Sequence, residues 1–217
     1  MKLVLISDTH TYHDQLEIPE CDLLIHSGDC TLAGYTSEVK KFLDWFSEQK
    51  ATHRVFIPGN HDFFFEKTPE KADKLLQWYP GVTCLNDSST TVDGIKLWGS
   101  PWTPWFHNWA FNFPQYDLIT GEHAEKHWAQ IPDDTNIIIT HGPPNGILDQ
   151  VRGSNERVGC PKLLKRVFEV EPTIHVFGHI HEQYGWKEVN DTMFVNAATC
   201  DLSLKPVNKP IVLNLDI

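Results

Sequence analysis

Five short polar clusters follow one another along this chain, and their residue types are those that bind divalent cations. Each contains aspartate, asparagine or histidine, and they are Asp8-Thr9-His10, Gly28-Asp29, Gly59-Asn60-His61-Asp62, Thr140-His141-Gly142 and Gly178-His179-Ile180-His181. Carboxylate, amide and imidazole groups together suit hard or borderline divalent ions. Any one cluster is also common in solvated turns, but the ordered set predicts a two-metal hydrolase site.

The spacing within the clusters allows their side chains to converge. Asp8 and His10 are two residues apart at a predicted strand end, as are His179 and His181, which places both members of a pair on one face of an extended segment. Ligands of open α/β sheets bind beyond the carboxyl ends of the strands. We therefore expect seven metal ligands to meet there, namely Asp8, His10, Asp29, Asn60, His141, His179 and His181.

Apolar runs typical of strands come directly before four of the five clusters. The predicted strands are Lys2–Ile6, Asp22–His26, Arg54–Ile57, Ile95–Trp98, Asn136–Thr140, Thr173–Phe177, Thr192–Val195 and Ile211–Leu215. The predicted helices are Ser37–Gln49 with Ser37 as N-cap, Pro69–Trp78, His123–Trp128 and Pro161–Phe168. Strands and helices alternate in the first half, so we expect parallel strands with crossover helices there. The later Ile95–Trp98 and Thr192–Leu215 segments predict a second, partly antiparallel sheet.

Composition and charge are those of an ordinary globular chain. Its 217 residues, 41% of them hydrophobic, predict a single domain over residues 1–217. The apolar runs are too short to span a bilayer, and five cysteines without a CxxC pair suit reduced thiols, which predicts a cytoplasmic protein without membrane contact. The net charge of −11 argues against stable nucleic-acid binding, whereas a homo-oligomer stays open.

The order D-x-H, GD, GNH[D/E], H and GHxH resembles the calcineurin-like metallophosphoesterase superfamily. Longer stretches are similar to the metallophosphoesterase-domain-containing proteins, which are related to the class III cyclic nucleotide phosphodiesterases. These stretches include Trp98-Gly99-Ser100-Pro101-Trp102, His141-Gly142-Pro143-Pro144, Arg157-Val158-Gly159-Cys160 and the segment from His175 to Glu182. The resemblance implies an α/β fold, a four-layer α/β/β/α sandwich of two mixed sheets flanked by helices.

The resemblance also implies a role for each candidate residue. Asp8, His10 and His181 would hold the first metal ion; Asn60, His141 and His179 would hold the second; Asp29 would bridge them; and His61 would be the catalytic residue that faces the substrate. The implied cofactors are two divalent transition-metal ions. We expect manganese, although the same ligands also accept iron, cobalt or zinc.

The implied activity is hydrolysis of small phosphodiesters or nucleotides, cyclic nucleotides among them, by a hydroxide that bridges the two ions. The chain departs from the phosphoprotein-phosphatase branch after Gly28-Asp29, where that branch has a second aspartate and an arginine and this chain has Cys30-Thr31-Leu32-Ala33-Gly34. The missing arginine favours diesters over dianionic monoesters. The missing aspartate leaves open what orients His61, with Asp62 or another group as candidates. The alternative function is a low-activity scaffold of the same fold that binds nucleotide or metal.

Four of the eight tryptophans lie close together, at Trp98, Trp102, Trp105 and Trp109. They could form an aromatic wall over the site that stacks a nucleobase. The alternative is a rigid segment packed on the core, or a dimer contact. We favour the packed segment because Pro101 and Pro104 lie within it.

Overall fold

The computed structural model describes residues 1–154 and 156–215, which contain two β-sheets. In chain order the strands are β1 (Lys2–Ile6), β2 (Cys21–His26), β3 (Ala51–Phe56), β4 (Val82–Cys84), β5 (Ser88–Val92), β6 (Ile95–Ser100), β7 (Ile137–Thr140), β8 (Ile174–Phe177), β9 (Gly185–Val189), β10 (Thr192–Asn196) and β11 (Ile211–Asn214). The first sheet has the strand order β11-β1-β2-β3-β4 and the second has the order β5-β6-β7-β8-β10-β9. Both sheets are mixed, because β11, β5 and β9 pair antiparallel with their neighbours.

Helices cover the outer face of each sheet. They are α1 (Thr36–Ser47), α2 (Phe63–Lys67), α3 (Pro69–Leu76), α4 (Asp117–Thr120), α5 (Glu122–Trp128) and α6 (Pro161–Val170). Side chains of α1, α2 and α3 share a buried cluster with the first sheet, and side chains of α5 and α6 share another with the second. No helix among the described residues is long and apolar enough to cross a membrane.

The alternation of side chains along β1 shows why its apolar run is unbroken. Leu3 and Leu5 point into the cluster between the two sheets, whereas Val4 and Ile6 point into the cluster beneath the helices. Successive strand residues face opposite sides, so a strand covered on both faces needs apolar residues throughout. The cluster between the sheets draws on both of them, and the four-layer α/β/β/α sandwich is confirmed.

The last strand is the main correction to the predicted topology. We expected Thr192–Leu215 to belong wholly to the second sheet, but β11 pairs antiparallel with β1 at the edge of the first sheet, with Val4 opposite Val212. The chain therefore crosses between the sheets after β10. Hydrogen-bond partners so distant along the chain leave no sign in local periodicity.

Helix α1 begins one residue earlier than predicted. Its N-cap is Tyr35 rather than Ser37, which lies inside the first turn. The carboxylate of Glu38 accepts hydrogen bonds from the backbone N–H groups of Ala33 and Tyr35, at 3.1 and 3.0 Å. A glutamate that reaches back from the third helical position satisfies donors that a serine cap would otherwise leave to water.

The candidate residues lie where the two sheets meet. The N–H of Asp8 donates to the carbonyl of Gly28 at 2.9 Å, which continues the pairing of β1 and β2 into their loops. The N–H of Thr199 donates to the carbonyl of Ser7 at 2.8 Å and joins the loop after β10 to the loop after β1. The carboxyl ends of strands from both sheets therefore share one edge of the molecule.

Candidate metal centre

All seven expected ligands occur in loops after strands, and the structure brings them to this shared edge. Asp8 and His10 follow β1, Asp29 follows β2, Asn60 follows β3, His141 follows β7, and His179 and His181 follow β8. The potential ligand atoms of Asp8, His10 and His181 lie within 4.8 Å of one another, as do those of Asp29, His141 and His179. These two groups match the grouping that the family resemblance implies, with Asn60 beside the second.

The first group has its ring nitrogens turned towards one point. The Nε2 atom of His181 lies 3.3 Å from an Asp8 carboxylate oxygen and 3.2 Å from the Nε2 atom of His10. Two imidazole nitrogens that face each other at this distance need a proton or a cation between them. The arrangement fits a divalent ion held by two imidazoles and one carboxylate.

The second group is arranged in the same way around His141. Its Nε2 atom lies 3.3 Å from Asp29 Oδ2 and 2.8 Å from the side-chain oxygen of Asn60. The ring of His179 lies against that of His141, with centroids 5.0 Å apart. One carboxylate, one amide oxygen and two imidazoles form a mixed donor set that suits a borderline divalent ion.

Asp29 lies between the two groups. Its Oδ2 atom is 3.3 Å from the Nε2 of His141 and 3.9 Å from the Nε2 atoms of both His10 and His61. Its Oδ1 atom accepts the backbone N–H of His61 at 2.8 Å. One oxygen therefore fixes the loop after β3, and the other faces the histidines of both groups, as a bridging ligand would.

Backbone carbonyls fix the tautomer of three candidate ligands. The Nδ1–H groups of His10, His141 and His181 donate to the carbonyls of Thr31, Ser27 and Asp201, at 3.2, 3.0 and 2.9 Å. A carbonyl oxygen can only accept, so each ring carries its proton on Nδ1 and presents Nε2 to the centre. Metal-binding histidines are oriented by this kind of partner in many proteins.

The glycines of the clusters allow the loops to approach closely. A Cβ atom on Gly59 would clash with the carboxylate and the backbone nitrogen of Asp29, and one on Gly178 would clash with Asp8 and Ser7. The Gly-Asn-His and Gly-His-x-His patterns therefore owe their glycines to carboxylates that arrive from other loops. Asp8 and Asp29 themselves have left-handed backbones, with φ of 52° and 58°, a strain typical of functional sites.

Within the described residues, the buried carboxylates of Asp8 and Asp29 have only histidines as ion-pair partners. Burial alone would raise the pKa of Asp8, but the hydrogen bond and charge of His181 lower it well below its usual value. Burial likewise opposes ionisation of His141 and His181, yet the pKa of each is raised to about 9, chiefly by Asp29 for His141 and by Asp8 for His181. Divalent ions that bind here must displace these protons, so metal affinity rises with pH.

His61 is the candidate histidine that can reach a substrate. Its side chain is 21% exposed, compared with 1% for His10. Its Nδ1–H donates to the carbonyl of Leu32 at 2.7 Å, and its ring stacks on Trp109 with centroids 4.1 Å apart and planes 30° apart. These two contacts leave Nε2 free at the lip of the site.

Asp62 does not orient the imidazole. Its carboxylate is fully buried and accepts the N–H groups of Cys30, Thr31 and Gly59, at 3.2, 2.9 and 2.7 Å, together with the Thr31 hydroxyl at 2.6 Å. Asp62 therefore joins the loop after β2 to the loop after β3. The carbonyl of Leu32, in the segment where the expected aspartate is missing, holds the ring instead.

The tryptophans divide between the two interpretations. Trp98 is buried in β6, and Trp102 stacks on Phe113 with centroids 5.4 Å apart, as a packed segment requires. Trp109 lies on His61 and Trp105 lines a cavity beside the site, as an aromatic wall requires. The sequence indicated Trp109 only as one of four tryptophans that could cover the site, and it did not indicate the Leu32 carbonyl. The cluster of tryptophans was the signal for Trp109, whereas the position of a backbone oxygen leaves no signal in the sequence.

Known proteins resemble this chain in sequence and in structure. Residues 1–183 match the family model described as calcineurin-like phosphoesterase. The chain is 39% identical over 235 residues to metallophosphoesterase domain-containing protein 1 of Homo sapiens. The aligned region covers 99% of this chain and 71% of that protein. It superposes on the phosphopantetheinyl hydrolase of Mycobacterium tuberculosis with a TM-score of 0.61 at 16% identity, covering 97% of this chain and 95% of that one. The protein TT1561 of Thermus thermophilus also gives a TM-score of 0.61 at 16% identity, with coverage of 90% and 88%. At this identity the structural neighbours show the fold alone.

Proposed function

This chain belongs to the calcineurin-like phosphoesterase family, and on that premise we propose that it hydrolyses small phosphodiesters with two divalent metal ions as cofactors. Asp8, His10 and His181 would hold one ion, Asn60, His141 and His179 the other, and Asp29 both. When bound, the ions would acidify a shared water and offset the charge of the phosphate. The donor set fits them, because two buried carboxylates face imidazole rings whose Nδ1–H groups donate to backbone carbonyls, which directs the Nε2 atom of each ring to the centre.

The position of His61 is the observation that carries the proposal. Its Nε2 atom lies 3.9 Å from the central carboxylate oxygen and its side chain is partly exposed, so a phosphate at the centre would lie within its reach. From there the imidazolium form, which carries a proton on each nitrogen, can donate a hydrogen bond from Nε2 to a phosphate oxygen or give that proton to the departing alkoxide. General acid catalysis of this kind contributes roughly 10²–10⁴-fold to a rate.

The charge around the site favours diesters over monoesters. Among the described residues, the ion pairs of Asp8 and Asp29 involve histidines alone, with no lysine or arginine. Arg157, which follows Asp149 in the same loop, pairs with the buried carboxylate of Asp149 at 2.8 Å. A dianionic monoester gains more from a bidentate guanidinium than a monoanionic diester does. Cyclic nucleotides are small diesters of this charge and belong to the proposed substrates.

Manganese is the proposed metal, because carboxylate and amide oxygens suit it, while the imidazoles also accept iron, cobalt or zinc. We also propose that the protein acts in the cytoplasm. Its five cysteines are free, and a reducing compartment keeps thiols in that state.

The proposal is tested with protein that is stripped of metal, reloaded with Mn²⁺ and given bis(p-nitrophenyl) phosphate or p-nitrophenyl phosphate. We expect turnover of the diester that exceeds turnover of the monoester and depends on added metal. The substitution His61→Ala should lower kcat by roughly 10²–10⁴-fold while bound metal is unchanged. The matched control is His53→Ala, on β3 and outside the site, which should leave kcat at the wild-type value. Equal background rates for wild type and His61→Ala would instead indicate a scaffold with little turnover.

A further inference from the structure

A large cavity opens directly beside the candidate metal centre. It has a volume of about 640 Å³, and Gly142 and His179 of the site form part of its wall. The ring of Phe106, also in the wall, lies 6.3 Å from that of His179 between centroids. This volume is within the range of about 300–1,000 Å³ that binds small molecules. A substrate with its phosphate at the metal centre would therefore extend its other part into this cavity.

The wall and the rim of the cavity are mainly apolar. They include Trp105, Phe106, Leu118, Ile119, Val158 and Leu202. Several of these side chains are exposed, Ile119 to 91%, Leu202 to 58% and Phe106 to 52%. Apolar side chains that are exposed together around a groove commonly mark a binding surface. The rim would contact apolar atoms of a substrate before the cavity encloses them.

The charged side chains that line the cavity have partners within the described part of the protein. Arg157 pairs with Asp149 at 2.8 Å and Lys162 with Glu125 at 2.9 Å. The carboxylate of Asp117 accepts two backbone N–H groups, and Glu182 accepts the N–H of Arg152 at 2.6 Å. A second anionic group on the substrate would lose water and find Arg157 and Lys162 already paired. The occupant that fits has no second anionic group and is mainly apolar.

We propose that this cavity binds a long aliphatic chain on one side of the phosphodiester, so that the enzyme acts on amphiphilic diesters. The inference rests on the proposed function, since it assigns the substrate class of the same site. Branched aliphatic side chains that line the cavity, Leu118, Ile119, Val158 and Leu202, suit a flexible alkyl chain. The bond that is broken stays the phosphoester bond at the metal centre, and the chain supplies binding energy only.

The experiment uses p-nitrophenyl methyl, butyl and octyl phosphates, which share one leaving group and differ in the length of the chain. Complete burial of a CH₂ group strengthens binding roughly fourfold, and about half of that free energy in an open groove gives about twofold. For the Mn²⁺-loaded protein we expect kcat/KM to rise about 100-fold from the methyl to the octyl ester, with most of the gain in KM. The substitution Val158→Asp should remove most of this gain. The matched control Val212→Asp, at an exposed valine of β11 outside the cavity, should keep it.

Three results would overturn the inference. Equal kcat/KM for all three esters in active wild-type protein would show that the cavity does not take the chain, with the proposed function intact. A chain-length gain that survives Val158→Asp would place the chain elsewhere. A dimer in sedimentation that Val158→Asp dissociates would assign the apolar rim to a second copy of this chain. If no ester were hydrolysed, the proposed function would fail, and calorimetric titration of the metal-free protein with octyl and methyl phosphocholine would still decide whether the cavity prefers the longer chain.

Discussion

Two uncharged groups, the carbonyl of Leu32 and the indole of Trp109, hold the imidazole of His61. A carboxylate partner would attract a proton to the ring, whereas a carbonyl fixes the tautomer without adding charge. Trp109 limits rotation of the ring by covering one face. His61 is therefore positioned by packing and by the shape of the backbone, and Trp109 acts through His61 as a positioning residue.

Replacement of Trp109 should affect turnover more than binding. An aromatic stack is worth about 0.5–1.5 kcal/mol, so Trp109→Ala should lower kcat about 3- to 10-fold with KM nearly unchanged. Trp109→Phe should recover about half of the lost free energy of activation. The control Trp78→Ala removes an exposed indole that follows helix α3, and it should leave kcat unchanged. A rise in KM with constant kcat in Trp109→Ala would show that the indole binds substrate instead.

Most side chains of the candidate site could be predicted from residue types in the sequence. Aspartate, asparagine and histidine after apolar runs indicated the ligands, and the structure brings all seven expected side chains together. The contacts that orient them could not be predicted, because the carbonyls of Ser27, Thr31 and Asp201 are backbone atoms with no residue preference. Their positions depend on loop geometry.

At the level of elements, the carboxylate of Asp62 helps to join two loops of the site. It accepts hydrogen bonds from both the loop after β2 and the loop after β3. The first of these loops carries Asp29 and the second carries Asn60. A residue that we do not expect to bind metal therefore contributes to the relative position of these two candidate ligands.

The substitution Asp62→Asn should destabilise the protein and weaken the site. The amide keeps the size of the side chain but replaces one acceptor with a donor that faces buried N–H groups, at a cost of about 2–4 kcal/mol. Urea unfolding measures this cost, and metal affinity should fall at least tenfold, as for other groups that orient ligands. Asp93→Asn, at an exposed turn, is the control and should change stability by less than about 0.5 kcal/mol. An unfolding midpoint equal to that of the wild type would contradict this role for Asp62.

The elements themselves could be predicted where burial shapes the sequence. β1 is covered on both faces and was predicted with its observed bounds, because its residues are apolar throughout. β5 and β9 escaped prediction because they are polar edge strands of the second sheet. β4 was missed because it is three residues long. Their pairing depends on neighbouring strands rather than on a pattern of their own.

At the scale of the whole molecule, the sandwich brings the loops of two sheets to one edge. The first sheet contributes the loops after β1, β2 and β3, and the second contributes those after β7 and β8. The buried cluster between the sheets joins the two halves, and we propose that residues 1–217 form one domain, of which residues 155, 216 and 217 lie outside the described part. The net charge of −11 includes the carboxylates of Asp8 and Asp29, which are buried at the site and whose charge bound cations would offset.

The central claim is that two cations share the carboxylate of Asp29, and a count of bound metal tests it most directly. The protein is loaded with excess Mn²⁺ at about pH 8, where displacement of protons from His141 and His181 is easier than at neutral pH. Unbound metal is then removed by gel filtration, and the manganese content per chain is measured by inductively coupled plasma mass spectrometry. We predict about two manganese ions per wild-type chain and per chain of the control Asp14→Ala, and at most about one in Asp29→Ala. A wild-type chain that retains no metal, or an Asp29→Ala chain that still retains two, would contradict the account.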